Sequence, residues 1–228
     1  MGRYDDTEED TTTDSPTEDR ERVSPETLAS AGRVIKRGWS AADSTRSADS
    51  PFAQTLKLTE KHQLIKFDED DPYASYHQHW IERTGQRSFV CLAQIDPLGC
   101  PLCDAGNRPS ARFSFNVLLL SPDGEALRRS FDVGARVLDQ LKNFHNDPRQ
   151  GPLTKNYWSL SRTGTKSSSS TSIQLVKERD LAEDWPGYEA LTADDLAAQR
   201  ATAYTNSIVG ITPRKTLQSI AAEELGSD

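Results

Sequence analysis

The stretch Cys91–Leu120, CLAQIDPLGCPLCDAGNRPSARFSFNVLLL, holds all three cysteines of the chain and also its clearest β-strand. Cys100 and Cys103 form a C-x-x-C pair, and Cys91 precedes that pair with eight residues between. Three thiols cannot pair off among themselves, and the N-terminus has no apolar signal region. An odd cysteine count without a signal peptide argues against a disulfide scaffold and predicts a reducing compartment.

A histidine upstream completes a set of metal ligands. The spacing from His79 is H-x11-C-x8-C-x2-C. A C-x-x-C turn points both sulfurs at one ion, and two neighbouring segments supply the other two ligands of a tetrahedral site. The spacing therefore predicts one structural Zn²⁺ bound by His79, Cys91, Cys100 and Cys103, with His77 as the alternative histidine. Buried cysteines without a metal are the competing interpretation, and H-E-x-x-H and H-x-E motifs of hydrolytic zinc sites are missing from the sequence.

The composition indicates a core smaller than the chain. Only 35% of the 228 residues are hydrophobic, which is low for a uniformly packed globule. We expect an acidic, largely disordered tail over residues 1–50, a core over residues 51–180, and a helical, acidic segment over residues 181–228. The sequence contains no apolar run approaching the roughly 18 residues of a membrane span, so we expect no membrane association.

The charges of the chain are unevenly distributed. Residues 1–27 carry ten acids and three arginines, and residues 178–228 carry ten acids and four bases. The middle, residues 28–177, carries twenty bases and fifteen acids, a net of +5 within a chain of −8. This pattern is typical either of solvated acidic ends or of a middle that binds a polyanion, with tails that modulate it.

The pattern of hydrophobic residues predicts a β-rich α+β fold. We expect strands at QLIKF (63–67), RSFVCLAQI (87–95), ARFSFNVLLLS (111–121), ALRRSFDV (126–133) and on either side of TKSSSS (165–170). A helix is predicted over residues 134–147, and two more near the C-terminus, at LTADDLAAQRATAY and TPRKTLQSIAAEEL. About five strands with one helix between them fit a small barrel of the OB type, with the zinc loop inserted in it.

The chain resembles a known family over the run QLIKFDEDDPYASYHQHWIERTGQRSFVCLAQIDPLGCPLCDAGNRPSARFSFNVLLL and over the hairpin and helix after it. The family is the zinc-containing single-stranded DNA-binding protein of T-even-type phages, and the similarity covers roughly residues 62–145. The shared features include the strand ending in KF, the acidic loop, the Cys/His spacing and the N-V-L strand. The family's acidic tail is C-terminal and its cleft is richer in tyrosine, so the chain departs from it in both respects.

The resemblance implies a protein that binds single strands during DNA replication, recombination and repair, in the cytoplasm of a bacterial host. It also implies replication or recombination proteins as partners of the acidic tails. Binding without sequence preference requires basic residues for the backbone and aromatic faces for the bases. The candidates in the middle of the chain are Arg87, Arg108, Arg112, Phe113, Arg129, Phe131, Lys155, Tyr157 and Arg162.

Two other classes of protein compete with this interpretation. One is a zinc-stapled structural or protein-interaction module without affinity for nucleic acid. The other is a nuclease, for which the candidate carboxylates cluster in DEDD (68–71). Four consecutive acids are more typical of a solvated turn, and a second acidic set is missing from the sequence, so we expect no enzyme.

Overall fold

The computed structural model describes residues 53–164 and 169–226, which belong to one compact unit. The strands of these residues are β1 (Gln63–Phe67), β2 (Ala74–Trp80), β3 (Ser88–Val90), β4 (Ser110–Leu120), β5 (Ala126–Val133), β6 (Tyr157–Thr163) and β7 (Ser170–Val176). The helices are α1 (Pro101–Asp104), α2 (Ala135–Asn146), α3 (Leu181–Asp184), α4 (Ala193–Arg200) and α5 (Arg214–Glu224). The predicted acidic tail over residues 1–50 lies outside the described residues, and the boundaries at 50/51 and 180/181 stay predictions.

Strand β4 organises the sheet. Its residues 113–120 pair with β5 in a hairpin. Because that pairing occupies one edge of β4, β2 and β1 must both lie along the other edge, where they pair with residues 110–114 and 117–119. Strand β1 also pairs with β6, and β6 pairs with β7. All of these pairings are antiparallel, and the strand order is β3-β2-β4-β1-β6-β7, with β5 on the free edge of β4.

Both faces of β4 are buried, as the apolar run at its end predicts. Phe115 and Val117 face a core that helix α2 covers with Leu138 and Leu141. Side chains of the opposite parity, such as Leu118, face a second core that the chain after β7 covers. Burial on two faces explains why this segment lacks the alternation of a half-exposed strand.

The predicted fold class, α+β, is confirmed. The described residues form a mixed α+β fold built on a mostly antiparallel sheet of seven strands. The barrel is not confirmed. The sheet of the described residues is open, with β3 and β7 at the two ends of the strand order and no pairing between them. A structured turn of helix, α1, lies where the sequence analysis predicts only a loop.

The acidic loop between β1 and β2 differs from the solvated turn that we predict. Asp68 is only 2% exposed. Its carboxylate lies 3.1 Å from Arg128 Nη1 and 3.4 Å from Arg200 Nε. Asp70 accepts a hydrogen bond from the backbone N–H of Thr154 at 2.9 Å. The loop is therefore held by tertiary contacts to residues distant in sequence, and local composition could not reveal them.

The C-terminal helices form where the sequence predicts them. Thr192 and Asp195 form a reciprocal capping box at the start of α4, as their spacing predicts. Helix α5 begins after Pro213, with Leu217 and Ile220 on its buried face. Among the residues that the structure describes, no helix combines the length and the apolar character needed to cross a membrane.

Candidate metal centre and groove

His79, Cys91, Cys100 and Cys103 come together in the structure. Their four candidate ligand atoms all lie within 4.8 Å of one another. Among the described residues, this is the group of His, Cys, Asp or Glu side chains that could hold a metal ion. His79 Nε2 lies 3.4 Å from Cys100 Sγ and 3.5 Å from Cys103 Sγ. Cys91 Sγ lies 3.6 Å from Cys103 Sγ. Tetrahedral coordination at Zn–S and Zn–N bond lengths predicts separations of about 3.8 Å between sulfurs and about 3.6 Å between sulfur and nitrogen. The cluster is therefore compatible with one structural metal ion.

Each ligand is placed by a different local feature. His79 lies near the end of β2, opposite Phe89 of β3, and Cys91 follows the end of β3. Gly99, with a φ of 80°, turns the chain into α1. Cys100 is the residue that caps α1, and Cys103 lies within that helix. Pro101 at the first helical position favours this start, because its φ is already helical and no N–H is lost.

A hydrogen bond to Asn107 orients the ligand histidine. His79 Nδ1 lies 2.9 Å from Asn107 Oδ1. Because an amide oxygen only accepts, Nδ1 carries the proton and Nε2 presents its lone pair to the sulfurs. Asn107 in turn donates from Nδ2 to the backbone oxygen of Trp80 at 3.2 Å. Sequence analysis missed Asn107, although its position four residues after Cys103 is a usable signal for a residue that supports the metal site.

The thiols do not ionise equally in the absence of a cation. Burial opposes ionisation of Cys100, but backbone N–H groups of Leu92, Cys103 and Leu102 outweigh it and lower the pKa of Cys100. Burial and the adjacent Cys91 thiol raise the pKa of Cys103 to about 12. Since thiolates are the form that binds metal, a divalent cation is the group that would let neighbouring sulfurs share the site as thiolates.

Helix α5 covers the metal cluster from the C-terminal end of the chain. Leu217 and Ile220 pack into the apolar cluster that contains Cys91, Cys100 and Leu102. Arg214 Nη1 donates to the backbone oxygen of Gly99 at 2.6 Å, directly before Cys100. Local sequence does not indicate this contact, because its partners are 115 positions apart in the chain.

The choice between the two histidines depends on their position along one face of β2. His77 and His79 are two residues apart on a strand, so their side chains point to the same face. His79 is fully buried in the cluster, whereas His77 is exposed and lines a cavity beside it, together with Cys91 and Cys103. His79 is therefore the histidine that the structure brings together with the three cysteines.

The opposite face of β2 borders a groove of about 890 Å³. Tyr76, Gln78 and Trp80 alternate along the strand and line this groove. Trp80 is 58% exposed, and Arg112 lies directly across from Tyr76 on β4. Other lining residues come from the segment before β1, from β5 and the start of α2, and from the β6–β7 hairpin; among them are Lys57, Val133, Val137 and Arg162.

Only some of the predicted DNA-binding residues line the groove. Arg112 and Arg162 line it, and Phe131 contributes to its floor. The candidates that do not line it are Arg87, Arg108, Phe113, Arg129, Lys155 and Tyr157.

Two of the predicted stacking residues need correction. Phe131 is only 3% exposed and Tyr157 only 1%, so neither ring offers a free face to a base. Tyr157 and Trp158 do point to opposite faces of β6, as expected. Adjacent strand residues point to opposite faces, and both faces of β6 are covered, because Trp158 packs in the α2 core and Tyr157 under the C-terminal segment.

Comparisons with known protein families, with curated proteins and with solved structures gave no match to this chain.

Proposed function

We propose that this chain binds single-stranded DNA without sequence preference, through the groove beside β2. The observation that carries the proposal is the exposed Trp80 ring in a groove of about 890 Å³ that Lys57, Arg112 and Arg162 also line. Cationic side chains along a groove attract the phosphate backbone, and an aromatic face provides a platform on which any base can stack. The net charge of +5 over residues 28–177 supports the same partner.

Asp132, the acidic residue that lines the groove, is held in a way that limits its repulsion of phosphate. Asp132 Oδ1 accepts hydrogen bonds from the hydroxyl groups of Ser114 and Ser130, both at 2.6 Å. Asp132 Oδ2 accepts one from Thr55 Oγ1 at 3.2 Å. These donors spread the negative charge, and they hold the carboxylate against the groove wall rather than leaving it free to repel phosphate.

We assign zinc to the cluster of His79, Cys91, Cys100 and Cys103. Three sulfurs and one imidazole are a donor set that zinc prefers in structural sites, where all four positions are filled by protein. Zinc supplies a redox-inert cross-link between β2, β3 and α1. Because β2 carries His79 on one face and Trp80 on the other, the metal would fix the strand that forms one wall of the groove.

A barrel of the OB type belongs to the same proposal. Residues 54–59 hydrogen-bond to strands on both sides of the open sheet: Leu56 N donates to Ser130 O of β5 at 2.8 Å, and Arg162 N of β6 donates to Thr59 O at 2.8 Å. This segment therefore links β5 to β6, which is the support for a barrel. The resemblance to the T-even phage proteins adds their role in replication, recombination and repair to the proposal.

A salt titration tests the proposal. Oligothymidylate and duplex DNA of the same length are titrated with the protein while binding is followed by fluorescence anisotropy. We expect tighter binding to the single strand, and a fall of log K with log salt of about 0.7 for each phosphate neutralised. Arg162→Met should lower the slope by about that amount. Arg149→Met is the matched control, because Arg149 is exposed and lies outside the groove.

The alternative function makes the opposite prediction. A zinc-stapled module for protein interaction would retain its metal and its fold but show no binding to oligothymidylate at low salt. Equal affinity for the single strand and the duplex would also contradict the proposal, because stacking on Trp80 requires unpaired bases.

A further inference from the structure

We propose that a polar cavity beside the groove binds one nucleobase by its hydrogen-bonding edge; this inference rests on the proposed function. The cavity has a volume of about 290 Å³, close to the lower limit of about 300 Å³ for pockets that bind small molecules. It adjoins the groove, with which it shares five lining residues: Thr55, Tyr76, Gln78, Ser88 and Asp132. A strand that follows the groove therefore passes its mouth.

The hydroxyl groups of Tyr73, Ser114 and Ser130 are committed to hydrogen bonds within the cavity wall. Ser114 and Ser130 both donate to Asp132. Since Ser130 has only one hydroxyl proton, Tyr73, whose hydroxyl lies 2.7 Å from Ser130 Oγ, is the donor in that contact. These groups form a fixed wall, and their protons are not free for a ligand.

Gln78 offers the cavity a side-chain amide with free hydrogen-bonding capacity. Its side-chain amide makes no hydrogen bond to any other residue that the structure describes, although the residue is half-buried and lines both cavities. An amide places a donor and an acceptor side by side. Every nucleobase presents a neighbouring donor and acceptor, or the reverse, on its Watson–Crick edge. Rotation of the amide by half a turn exchanges the two, so one glutamine can pair with different bases.

Tyr76 adds a donor at the mouth of the cavity. Burial, together with the negative charge of Asp132, raises the pKa of Tyr76. Its phenol is protonated at neutral pH, as that of an ordinary tyrosine is. Trp80 lies two residues beyond Gln78 on the same face of β2, a distance of about 6.8 Å along the strand. A base in the cavity and a neighbouring base on Trp80 would therefore be held by one strand.

The arrangement gives a specific reason for a preference for single strands. In a duplex, the Watson–Crick edges are already paired and cannot reach Gln78. Selectivity for single strands over duplex would then come from the edge of the base as well as from its stacking face. The protein would still bind strands of any sequence.

Gln78→Met tests the proposal with two oligomers, oligothymidylate and a deoxyribose-phosphate oligomer of equal length that has no bases. We expect the variant to bind oligothymidylate about tenfold more weakly, the effect of losing one or two neutral hydrogen bonds. Its affinity for the base-free oligomer and its salt slope should match those of the unaltered protein. Gln174→Met is the control, because Gln174 is an exposed strand residue that lines neither cavity.

A second measurement uses the unaltered protein, so it does not depend on how a variant folds. Oligothymidylate with a methyl group on N3 of each base keeps its stacking faces but loses its Watson–Crick donor. We expect it to bind about tenfold more weakly than oligothymidylate.

Three outcomes separate the two proposals. Equal binding of methylated and ordinary oligothymidylate overturns the base site and leaves the proposed function intact. An equal loss by Gln78→Met on the base-free oligomer overturns the base site in the same way. No binding of the unaltered protein to any of the oligomers overturns both.

Discussion

His77 and His79 show how much the position of one residue along a strand matters. A strand has a period of two, so both imidazoles face the same side of the sheet. Only the depth of each position differs: His79 is enclosed between β3, α1 and α5, whereas His77 lies nearer the surface. The spacing of ligands along the chain is consistent with either histidine.

His79→Ala should therefore remove the metal, and His77→Ala should retain it. Metal content measured by atomic emission on purified protein should fall from one ion per chain to near zero for His79→Ala and for Cys103→Ser. An ion present at 1,000 times its Kd contributes about 4 kcal/mol to the free energy of unfolding, so the melting temperature should fall in the same two variants. One ion per chain in His79→Ala would show that another residue completes the site.

Asn107 is predicted to tune the affinity of the site without being a ligand. Its Oδ1 accepts from His79 Nδ1 at 2.9 Å and fixes the tautomer of the ring. Asn107→Ala should weaken metal affinity about 10–100-fold, which is the usual effect of losing such a partner. Competition with a chelator of known affinity measures this change. Asn107→Asp keeps the acceptor and should restore the affinity; an alanine variant with unchanged affinity would contradict the role.

At the scale of elements, β2 lies between the candidate metal cluster and the groove, and α5 packs against the cluster. Strand β2 presents its histidines to one side and Tyr76, Gln78 and Trp80 to the other. Helix α5 closes the metal side with Leu217 and Ile220. One short strand therefore carries both the histidine of the His/Cys cluster and one wall of the groove.

Leu217→Ala tests the contribution of α5. Leu217 is fully buried against the metal cluster, so its truncation should lower the free energy of unfolding by about 2–5 kcal/mol. The metal should also be lost at a lower chelator concentration, because the helix excludes water from the cluster. Leu98→Ala is the control, since Leu98 is 73% exposed on the same loop-rich region. Equal denaturation midpoints for the two variants would show that α5 does not stabilise the cluster.

At the scale of the whole molecule, the distribution of charge predicts competition between the acidic N-terminus and DNA. Residues 1–27 carry a net of −7. A tethered polyanion acts at a high effective concentration on a basic groove of its own chain. Salt weakens the competition, because the Debye length falls to about 8 Å at physiological ionic strength.

Deletion of residues 1–27 should therefore tighten binding to oligothymidylate at low salt by several-fold. The affinities of the full and shortened chains should converge as salt increases, which the same anisotropy titration measures. Replacement of the ten acids in this segment by their amides is the matched variant, because it keeps the length of the tail. Unchanged affinity at every salt concentration would leave solubility or partner recruitment as the role of the tail.

Much of the local structure follows from short-range physical chemistry. The hairpin of β4 and β5, helix α2 and the capping box at Thr192 depend on residues within a few positions of one another, and all three form as predicted. The C-x-x-C pair belongs to the same class, because its own turn brings Cys100 and Cys103 together. These features are encoded locally, so the sequence alone could specify them.

Tertiary structure decided the features that depend on contacts between distant residues. The pairing of β1 and β2 with one edge of β4, the ion pair of Asp68 with Arg128 and the contact of Arg214 with Gly99 each join separate parts of the chain. Burial of Phe131 and Tyr157 is of this kind, since an aromatic residue in a strand is exposed or enclosed according to what packs on that face. The sequence by itself determined most of the strands and the candidate His/Cys set, up to the choice of histidine. Which side chains line the groove was decided only when β2 gained the His/Cys cluster on one face and left the other open, because a strand's alternation divides its residues between two faces without saying what will cover either.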